Sequence, residues 1–319
     1  MPIKSATAVS TTSKFKTHKK YKMKMYFKKT WILYLFVLPP MLYLLLLNYA
    51  PLYGIQIAFK NFKPVQGIWK SEWVGFKHFI TFFQSYHFKT LLSNTLVLSL
   101  YSLIAGFPIP IILALMLNYC RSPKLKKFVQ TATYAPHFIS TVVFCGMIFI
   151  FLSVDGIVNQ FLMLLGFEPT LFMSKAEYFR HIYVWSGVFK GMGWSSIIYI
   201  ATLAGVSPDL HEAAVVDGAT KLQRMLYIDL PSLIPTTVIL LILNTGQIMN
   251  VGFEKAFLLQ TPVNLQYSEI ISTYVYKIGI QSAQFSYSAA IGLFNNIVNF
   301  ILLMLVNKIA KKINGMSLW

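Results

Sequence analysis

The sequence predicts an all-α integral membrane protein with six transmembrane helices. Of its 319 residues, 56% are hydrophobic and 12% are charged, and the mean hydropathy is +0.58. A soluble domain does not need so much apolar surface, whereas apolar segments of about 20 residues are typical of helices that cross a bilayer. The predicted spans are residues 30–50, 92–117, 132–153, 182–206, 232–251 and 287–307.

The distribution of charge favours a membrane protein over a nucleic-acid-binding protein. The net charge is +18, and nine lysines lie between Lys4 and Lys29, directly before the first apolar segment. A basic segment beside a spanning helix is typical of a cytoplasmic anchor that meets anionic lipid headgroups. The aromatic residues lie in apolar segments and do not alternate with the lysines, as nucleic-acid binding would favour. We therefore predict a basic cytoplasmic tail over residues 1–30 and one transmembrane domain over 31–319.

The positive-inside rule sets the predicted orientation. With the N-terminus in the cytoplasm, the internal segments hold 18 Lys and Arg residues and the external loops hold nine. Acidic residues show the opposite bias, with six outside and four inside. Six spans place both termini on the same side, so the prediction is N-in and C-in. Residues 207–231 are then cytoplasmic.

The first external loop, residues 51–91, is itself half apolar. Its segments 53–62 and 73–83 are rich in aromatic residues, which predicts interfacial helices along the membrane surface. A seventh span is the alternative, but lysines interrupt every apolar window of about 18 residues. The interrupting lysines are Lys60, Lys63, Lys70 and Lys77.

Polar side chains recur in the last three predicted spans, where each is costly unless it is paired or faces water. They either line a polar path or form hydrogen bonds between helices. Their occurrence on three consecutive spans favours a water-accessible cavity, in which Lys190 either meets an anionic substrate or extends toward the outer interface. The candidates are Lys190, Trp194, Ser195, Ser196, Tyr199, Asn244, Gln247, Asn250, Asn295, Asn296 and Asn299.

The sequence contains no recognisable catalytic or energy-coupling site of its own. It has no GxxxxGK phosphate loop, HExxH or GxSxG motif, and no His, Cys and carboxylate cluster at metal-ligand spacing. All acidic residues fall in predicted loops, whereas ion-coupled carriers usually need a carboxylate within the membrane. We therefore predict that a partner supplies the energy.

The first half of the segment 207–231, which we call the elbow, has the signals of a short capped helix. Ser207 offers a hydroxyl cap, and Pro208 occupies the first helical position, where its missing N–H is tolerated. Gly218 is expected to end this helix. Such a rigid element outside the membrane suits contact with another protein.

The second half of the elbow predicts another helix. Thr220 and Gln223 have the spacing of a capping box, which predicts a helix from Lys221 to about Asp229. Pro231 is expected to end it. The whole elbow is thus predicted as a helix-turn-helix between two spans.

The elbow resembles the EAA motif of the permease subunits of bacterial type I ABC importers. The form of that motif is EAA, then DGA, then a hydrophobic residue, Ile and LP. The matching residues are Glu212, Ala213, Ala214, Asp217, Gly218, Ala219, Ile228, Leu230 and Pro231. The stretches WSGVFKGMGWSSIIYIATLAG, VGFEKAFLLQTP, YSAAIGLFNNIVNFILL and the final SLW resemble the carbohydrate-uptake branch, in particular LplB-type polysaccharide and oligosaccharide permeases.

This resemblance implies a permease subunit of the bacterial plasma membrane that is not an enzyme and binds no cofactor itself. Its implied partners are a second homologous permease, two cytoplasmic ATPases that bind ATP and Mg²⁺, an external solute-binding protein and a saccharide. The elbow would be the coupling helix seated on the ATPase, where Glu212 and Asp217 either bond within the elbow or meet basic ATPase groups. The implied coupling residues are Glu212, Ala213, Ala214, Asp217, Gly218, Ala219, Leu222 and Pro231.

Two alternatives to saccharide import remain. The same fold would serve for another solute, such as a peptide or an anion. A membrane-embedded enzyme acting on lipid-linked sugars would be expected to show paired carboxylates or a metal cluster, and the sequence shows neither.

Overall fold

The computed structural model describes residues 29–315 and 317–318, and the structure is 78% helical. The predicted basic tail, residues 1–30, lies outside the described residues except for its last two. The chain divides into two compact units, Met1–Gln56 and Ile57–Trp319.

The described chain begins with the apolar helical segment Lys29–Phe59 (α1), which contains the first predicted span. Its middle part, Leu44–Tyr49, is a π-helix, and Ala50–Phe59 is a 3₁₀-helix. The predicted interfacial segment 53–62 therefore begins within this helix.

The unit Ile57–Trp319 is built from helices and one small hairpin, in which Lys60 pairs with Trp73 and Asn61 with Glu72 in antiparallel register. In chain order its elements are β1 (Lys60–Asn61), α2 (Gly67–Lys70), β2 (Glu72–Trp73), α3 (Lys77–Gln84), α4 (Tyr86–Gly106), α5 (Pro108–Tyr119), α6 (Pro123–Tyr134), α7 (Thr141–Phe151), α8 (Ile157–Leu164), α9 (Tyr178–Ala204), α10 (Pro208–Val216), α11 (Lys221–Arg224), α12 (Leu230–Thr245), α13 (Phe253–Leu259), α14 (Leu265–Ser268), α15 (Ile271–Tyr276) and α16 (Phe285–Asn314).

Among the described residues, four helical segments are long and apolar enough to cross a membrane, or five if the bent pair α6 and α7 forms one span. The helix α9 has 27 residues but is not among them. Its glycines, serines and Lys190 lower its hydropathy. The four segments are Lys29–Phe59, Tyr86–Tyr119, Lys221–Thr245 and Phe285–Lys312.

Residues 132–153, predicted as the third span, do not form one straight helix. Helical residues up to Phe138 and the helix α7 meet at an angle of 107°. Pro136 lies in a 3₁₀ turn at this break and cannot donate a backbone hydrogen bond. The Ser140 hydroxyl then accepts a 3.3 Å hydrogen bond from the backbone N–H of Val143 and starts a new helix.

The prediction that Asn244, Gln247 and Asn250 lie along one helix is wrong. The helix α12 ends at Thr245, and Gly246 follows as its C-cap. Only Asn244 is therefore helical, whereas Gln247 and Asn250 lie in the turn that leads to α13. This turn brings their amides toward other helices.

Pro231 does not end the second elbow helix, contrary to the prediction. Residues 225–229 form a π-turn in which the Leu230 N–H donates to the Met225 carbonyl, and Pro231 lies in the first turn of α12. Proline lacks an N–H and crowds the preceding turn, and the wider π-turn accommodates both effects. The segment Lys221–Thr245 is consequently one helical run.

The helix α9 is the centre of this unit and packs against α4, α5, α6 and α12. Its glycines do not break it. At Gly193 a Cβ atom would lie 2.2 Å from the Thr133 carbonyl oxygen of α6, so only glycine permits this close approach. Near the elbow, α5, α9 and α12 share an apolar cluster of Ala114, Leu115, Tyr199, Leu203 and Leu233.

Candidate functional site

A cavity of about 740 Å³ lies between α4, α5, α9, α12 and α13. Its wall combines apolar side chains with hydroxyls, amides and one cation. The polar and aromatic residues that line it are Ser99, Ser102, Phe107, Tyr183, Trp194, Ser195, Tyr199, Asn244, Gln247, Asn250 and Lys255. Such a mixed, concave surface is typical of a site for a polar ligand.

The cavity contains six of the predicted path residues, namely Trp194, Ser195, Tyr199, Asn244, Gln247 and Asn250. Others instead hold the structure together. The Ser196 hydroxyl donates to the Gly193 carbonyl at 2.6 Å, and the Asn299 side-chain oxygen accepts from the Met249 N–H at 2.9 Å. Asn295 is buried, whereas Asn296 is exposed.

Asn295 supports the cavity wall from behind. Its side-chain nitrogen donates to the Asn250 side-chain oxygen at 2.8 Å, and Asn250 in turn donates to the Gln247 side-chain oxygen at 2.8 Å. The amides therefore form one chain from α16 to the cavity. Because each amide fixes the next, this network holds the side chains of Gln247 and Asn250 in place at the cavity wall.

Lys190 does not line the cavity. Its Nζ lies 3.4 Å from the Thr141 hydroxyl and 5.3 Å from the centre of the Phe144 ring, both on α7. Of the two explanations that the sequence offers for this lysine, contact with a substrate in this cavity receives no support. Lys190 instead packs between α9 and α7.

Lys255, which the sequence analysis did not single out, is the only charged residue among the described residues that line the cavity. Its Nζ donates to the Tyr183 carbonyl at 2.5 Å and lies 4.5 Å from the centre of the Tyr183 ring. Burial is the main cause that lowers the pKa of Lys255 to about 7. The ion pairs of the described chain do not include Lys255, so its charge has no carboxylate partner there.

Gly187 makes room for this lysine. A Cβ atom at position 187 would lie 3.0 Å from the Lys255 Nζ. The signal available in the sequence was the stretch VGFEKAFLLQTP, which contains Lys255 and carries part of the family resemblance. The predicted spans leave this stretch in the loop between the fifth and sixth helices, and only the fold brings Lys255 to the cavity.

An oriented aromatic face completes the cavity. Trp194 stacks on His137 with ring centres 4.5 Å apart and an interplanar angle of 1°. The Ser102 hydroxyl has no hydrogen-bond partner among the described residues and lines the same cavity. The cavity wall thus combines one cation, several amides and hydroxyls, and an aromatic ring.

The caps predicted for the elbow are confirmed. The Ser207 hydroxyl accepts from the Asp209 N–H at 3.3 Å, and Gly218 has a φ of +75°. Thr220 and Gln223 form the predicted capping box, in which the Thr220 N–H donates to the Gln223 side-chain oxygen at 2.8 Å. The elbow is therefore a defined element with one glycine-dependent turn.

The elbow presents exposed apolar side chains. No residue of α10 is buried, and Val216 and Tyr227 are 87% and 77% exposed. Glu212 and Asp217 are exposed, and their carboxylates make no hydrogen bond or ion pair with any described residue. The interpretation that they bond within the elbow is thus without support, and both carboxylates are available to a partner.

Asp229 corrects the prediction that all acidic residues lie in loops. It lies in the helical run Lys221–Thr245, and its side chain is fully buried. The Tyr119 hydroxyl donates to Asp229 Oδ2 at 2.5 Å, and the His211 Nε2 lies 3.2 Å from Oδ1. Sequence spacing gave no sign of this cluster, because its three members are brought together only by the fold.

Comparison with known proteins shows that this chain is similar to transport proteins. Residues 106–314 match the family of binding-protein-dependent transport system inner membrane components. The polygalacturonan/rhamnogalacturonan transport system permease protein YteP of Bacillus subtilis (strain 168) is 46% identical over 281 residues, which cover 88% of each chain. Protein LplB of the same strain is 42% identical, with 90% of this chain and 91% of LplB covered.

Two solved structures share the fold. One is the crystal structure of a bacterial ABC transporter involved in the import of the acidic polysaccharide alginate, which contains a chain 40% identical with a TM-score of 0.84, covering 92% of this chain and 99% of that one. The other is the alginate transporter in complex with an alginate pentasaccharide-bound periplasmic protein, with 39% identity, a TM-score of 0.84 and coverage of 92% and 98%. This chain therefore belongs to the family of binding-protein-dependent inner membrane transport components, as a permease subunit of an ABC importer.

Proposed function

We propose that this permease forms half of the translocation path of an ATP-driven importer for acidic oligosaccharides. The observation that carries the proposal is Lys255, a partly buried cation without a carboxylate partner among the described residues, in the wall of a cavity of about 740 Å³. A buried charge is costly unless it is paired. A uronate carboxylate in the cavity would supply the missing partner.

The rest of the cavity suits the sugar ring. Amide groups of Asn244 and Gln247 complement hydroxyl groups, and the indole of Trp194 offers a face for the flat C–H surface of a pyranose. Relatives support the acidic class, since YteP is named for polygalacturonan and rhamnogalacturonan and the similar crystal structure is of an importer of acidic alginate. The chemistry of the cavity and the names of the relatives are independent lines of support for an acidic saccharide.

We further propose that the elbow seats on a cytoplasmic ATPase. Its exposed side chains Leu210, Val216 and Leu222 offer apolar surface, and burial of apolar surface yields about 25 cal/mol per Å². Glu212 and Asp217 add ion pairs at the rim, each worth about 0 to 1 kcal/mol. ATP and Mg²⁺ would bind on two such ATPases, which close and pull the elbows of this permease and a second, homologous one together.

The proposed topology has six spans with both termini in the cytoplasm of a bacterium. It counts α9 and the bent pair of α6 and α7 as spans, in addition to the four apolar helical segments. The excess of Lys and Arg in the internal segments, 18 against nine, supports this orientation. The opposite side would receive an external solute-binding protein, as the alginate transporter receives its periplasmic protein.

Stimulation of ATP hydrolysis by candidate solutes tests the proposed substrate. The complete complex is purified with its partner permease, ATPases and binding protein, and ATPase activity is measured with oligogalacturonates, their methyl esters and peptides. We expect the free acids to stimulate hydrolysis more than the uncharged esters, because only the acids carry a partner for Lys255. Stimulation by peptides alone would contradict saccharide import and favour the alternative of another solute.

A further inference from the structure

Asp229 is a buried carboxylate that does not line the cavity, so it has no role in the proposed saccharide path. Its side chain has no exposed surface, and it lies at the end of the π-turn that precedes α12. Removing a carboxylate from water is costly unless polar partners replace the solvent. The partners of Asp229 therefore indicate what this residue contributes.

Those partners come from two other elements. Tyr119 is the last residue of α5, and its hydroxyl donates to Oδ2 at 2.5 Å. His211 belongs to α10, and its Nε2 lies 3.2 Å from Oδ1. Oδ1 has no hydrogen bond of good geometry within the described chain, so His211 adds a close polar contact and not a second hydrogen bond. One carboxylate thus joins α5, α10 and the start of α12.

The helix α10 has little else to hold it. None of its residues is buried, so apolar packing contributes little to its attachment. His211 is only partly exposed, with 24% of its side-chain surface accessible, and it is the residue of α10 that reaches a buried group. The contact between His211 and Asp229 is therefore a principal link between α10 and the body of the protein.

The π-turn places Asp229 on the inner face of its helix. Asp229 is the only buried residue of the π-turn, and Leu233, four residues later, is buried against Ala114 and Leu115 of α5. Residues four apart share a helix face, so Asp229 continues this apolar contact by one turn toward the elbow. π-turns are rare overall, and a large share of those that occur lie at functional positions.

Arg224 is the other charged group of this cluster. It precedes Asp229 by one π-turn and interacts electrostatically with Tyr119. Its Nε is buried without a hydrogen-bond partner among the described residues. The cluster therefore contains a carboxylate, a phenol, an imidazole and a guanidinium from α5, α10, α11 and the π-turn, which is an unusual concentration of polar groups beside an apolar core.

We propose that Asp229 is a positioning residue that transmits movement of the elbow to the spanning helices. Through Tyr119 and His211 it fixes α10 to the end of α5 and to the start of α12. A displacement of α10 then moves both helices together, and both contribute residues to the cavity wall. The proposal rests on the role proposed above for the elbow as the contact with an ATPase.

The test is the number of ATP molecules hydrolysed per saccharide imported by the complete complex in proteoliposomes. The variants are Asp229→Ala, Asp229→Asn and Tyr119→Phe. Tyr101→Phe is the matched control, because the Tyr101 hydroxyl likewise contacts a histidine, His181 Nδ1 at 2.9 Å, but lies outside both the cavity wall and the elbow.

We expect Asp229→Ala and Tyr119→Phe to raise this ratio by about 2- to 30-fold, the range of coupling effects of single residues. Asp229→Asn should raise it less, since its amide oxygen still accepts from Tyr119. The Tyr101→Phe control should leave it unchanged. A purely structural role would lower hydrolysis and import by the same factor, and the ratio would stay constant.

An unchanged ratio in assembled Asp229→Ala and Tyr119→Phe complexes would overturn the proposal. If the complex with Asp229→Ala fails to assemble, the ratio measured for Tyr119→Phe tests the proposal, because that substitution removes only a single oxygen atom. A Gly218→Val variant in the same assay separates the two proposals. One outcome is that Gly218→Val uncouples ATP hydrolysis from import while the Asp229 and Tyr119 variants do not. The proposed coupling role of the elbow would then stand, and the positioning role of Asp229 would be excluded. If Gly218→Val also has no effect, the elbow itself is not the coupling element.

Discussion

Replacing Gly218 with valine should abolish ATP-driven import while the permease still inserts and assembles. Gly218 has a φ of +75° and nothing within 4 Å of where a Cβ atom would lie, so the substitution introduces backbone strain without a clash. A β-branched residue in this conformation costs about 1–3 kcal/mol, which the exposed turn relieves by changing shape. Uptake into proteoliposomes should fall to less than about a tenth of the wild-type rate, at tenfold per 1.4 kcal/mol.

Gly218→Asn provides the matched control for this prediction. Asparagine tolerates the left-handed region better than other non-glycine residues, so it should retain most of the import activity. Co-purification with the ATPase and detergent gel filtration monitor assembly of each variant. Equal import by the valine and asparagine variants would show that the shape of this turn is not needed for transport.

Replacing Lys255 with methionine should selectively impair import of acidic saccharides. Methionine keeps the length and apolar stem of the side chain but cannot bind a carboxylate. A hydrogen bond to a charged group is worth about 1.5–3 kcal/mol, so KM for an oligogalacturonate should rise about 10- to 100-fold. The KM for its methyl ester should change much less, and this difference separates loss of recognition from general damage.

Lys190→Met is the matched control, because Lys190 packs against α7 outside the cavity. It should leave the preference for the free acid intact. Because burial lowers the pKa of Lys255 to about 7, the lysine is charged below this pH and loses its proton above it. In the wild type, KM for the acid should therefore rise as the pH increases through 7, and KM for the ester should not. An unchanged acid preference in Lys255→Met would exclude Lys255 as the carboxylate ligand.

The parts of the elbow that could be predicted from sequence are those fixed by short-range contacts. The Ser207 cap, the turn at Gly218 and the capping box of Thr220 and Gln223 each involve residues within four positions of each other. Their partners are set by local backbone geometry and depend little on the rest of the fold. The resemblance to the EAA motif lies in the same stretch of sequence.

The features that sequence analysis missed depend on contacts between distant residues. Asp229 meets a tyrosine 110 positions away, and Lys255 meets Tyr183, 72 positions away. The effect of Pro231 was predicted wrongly because a π-turn and the packing of Leu233 compensate for its missing N–H. Asn295 and Asn299 are amides in a predicted span, as residues of a polar path would be. In the folded protein, however, Asn295 donates to the Asn250 side chain, and Asn299 accepts from the Met249 backbone N–H.

The most direct test of the whole account is a cryo-electron microscopy structure of the complete importer with its saccharide-loaded binding protein, trapped during transport. We predict density for an acidic oligosaccharide in the cavity, with a carboxylate within hydrogen-bond distance of the Lys255 Nζ and a sugar ring against Trp194. The same map should show α10 seated in a cleft of the ATPase. A saccharide path that avoids Lys255, or an elbow that contacts no ATPase, would contradict the account.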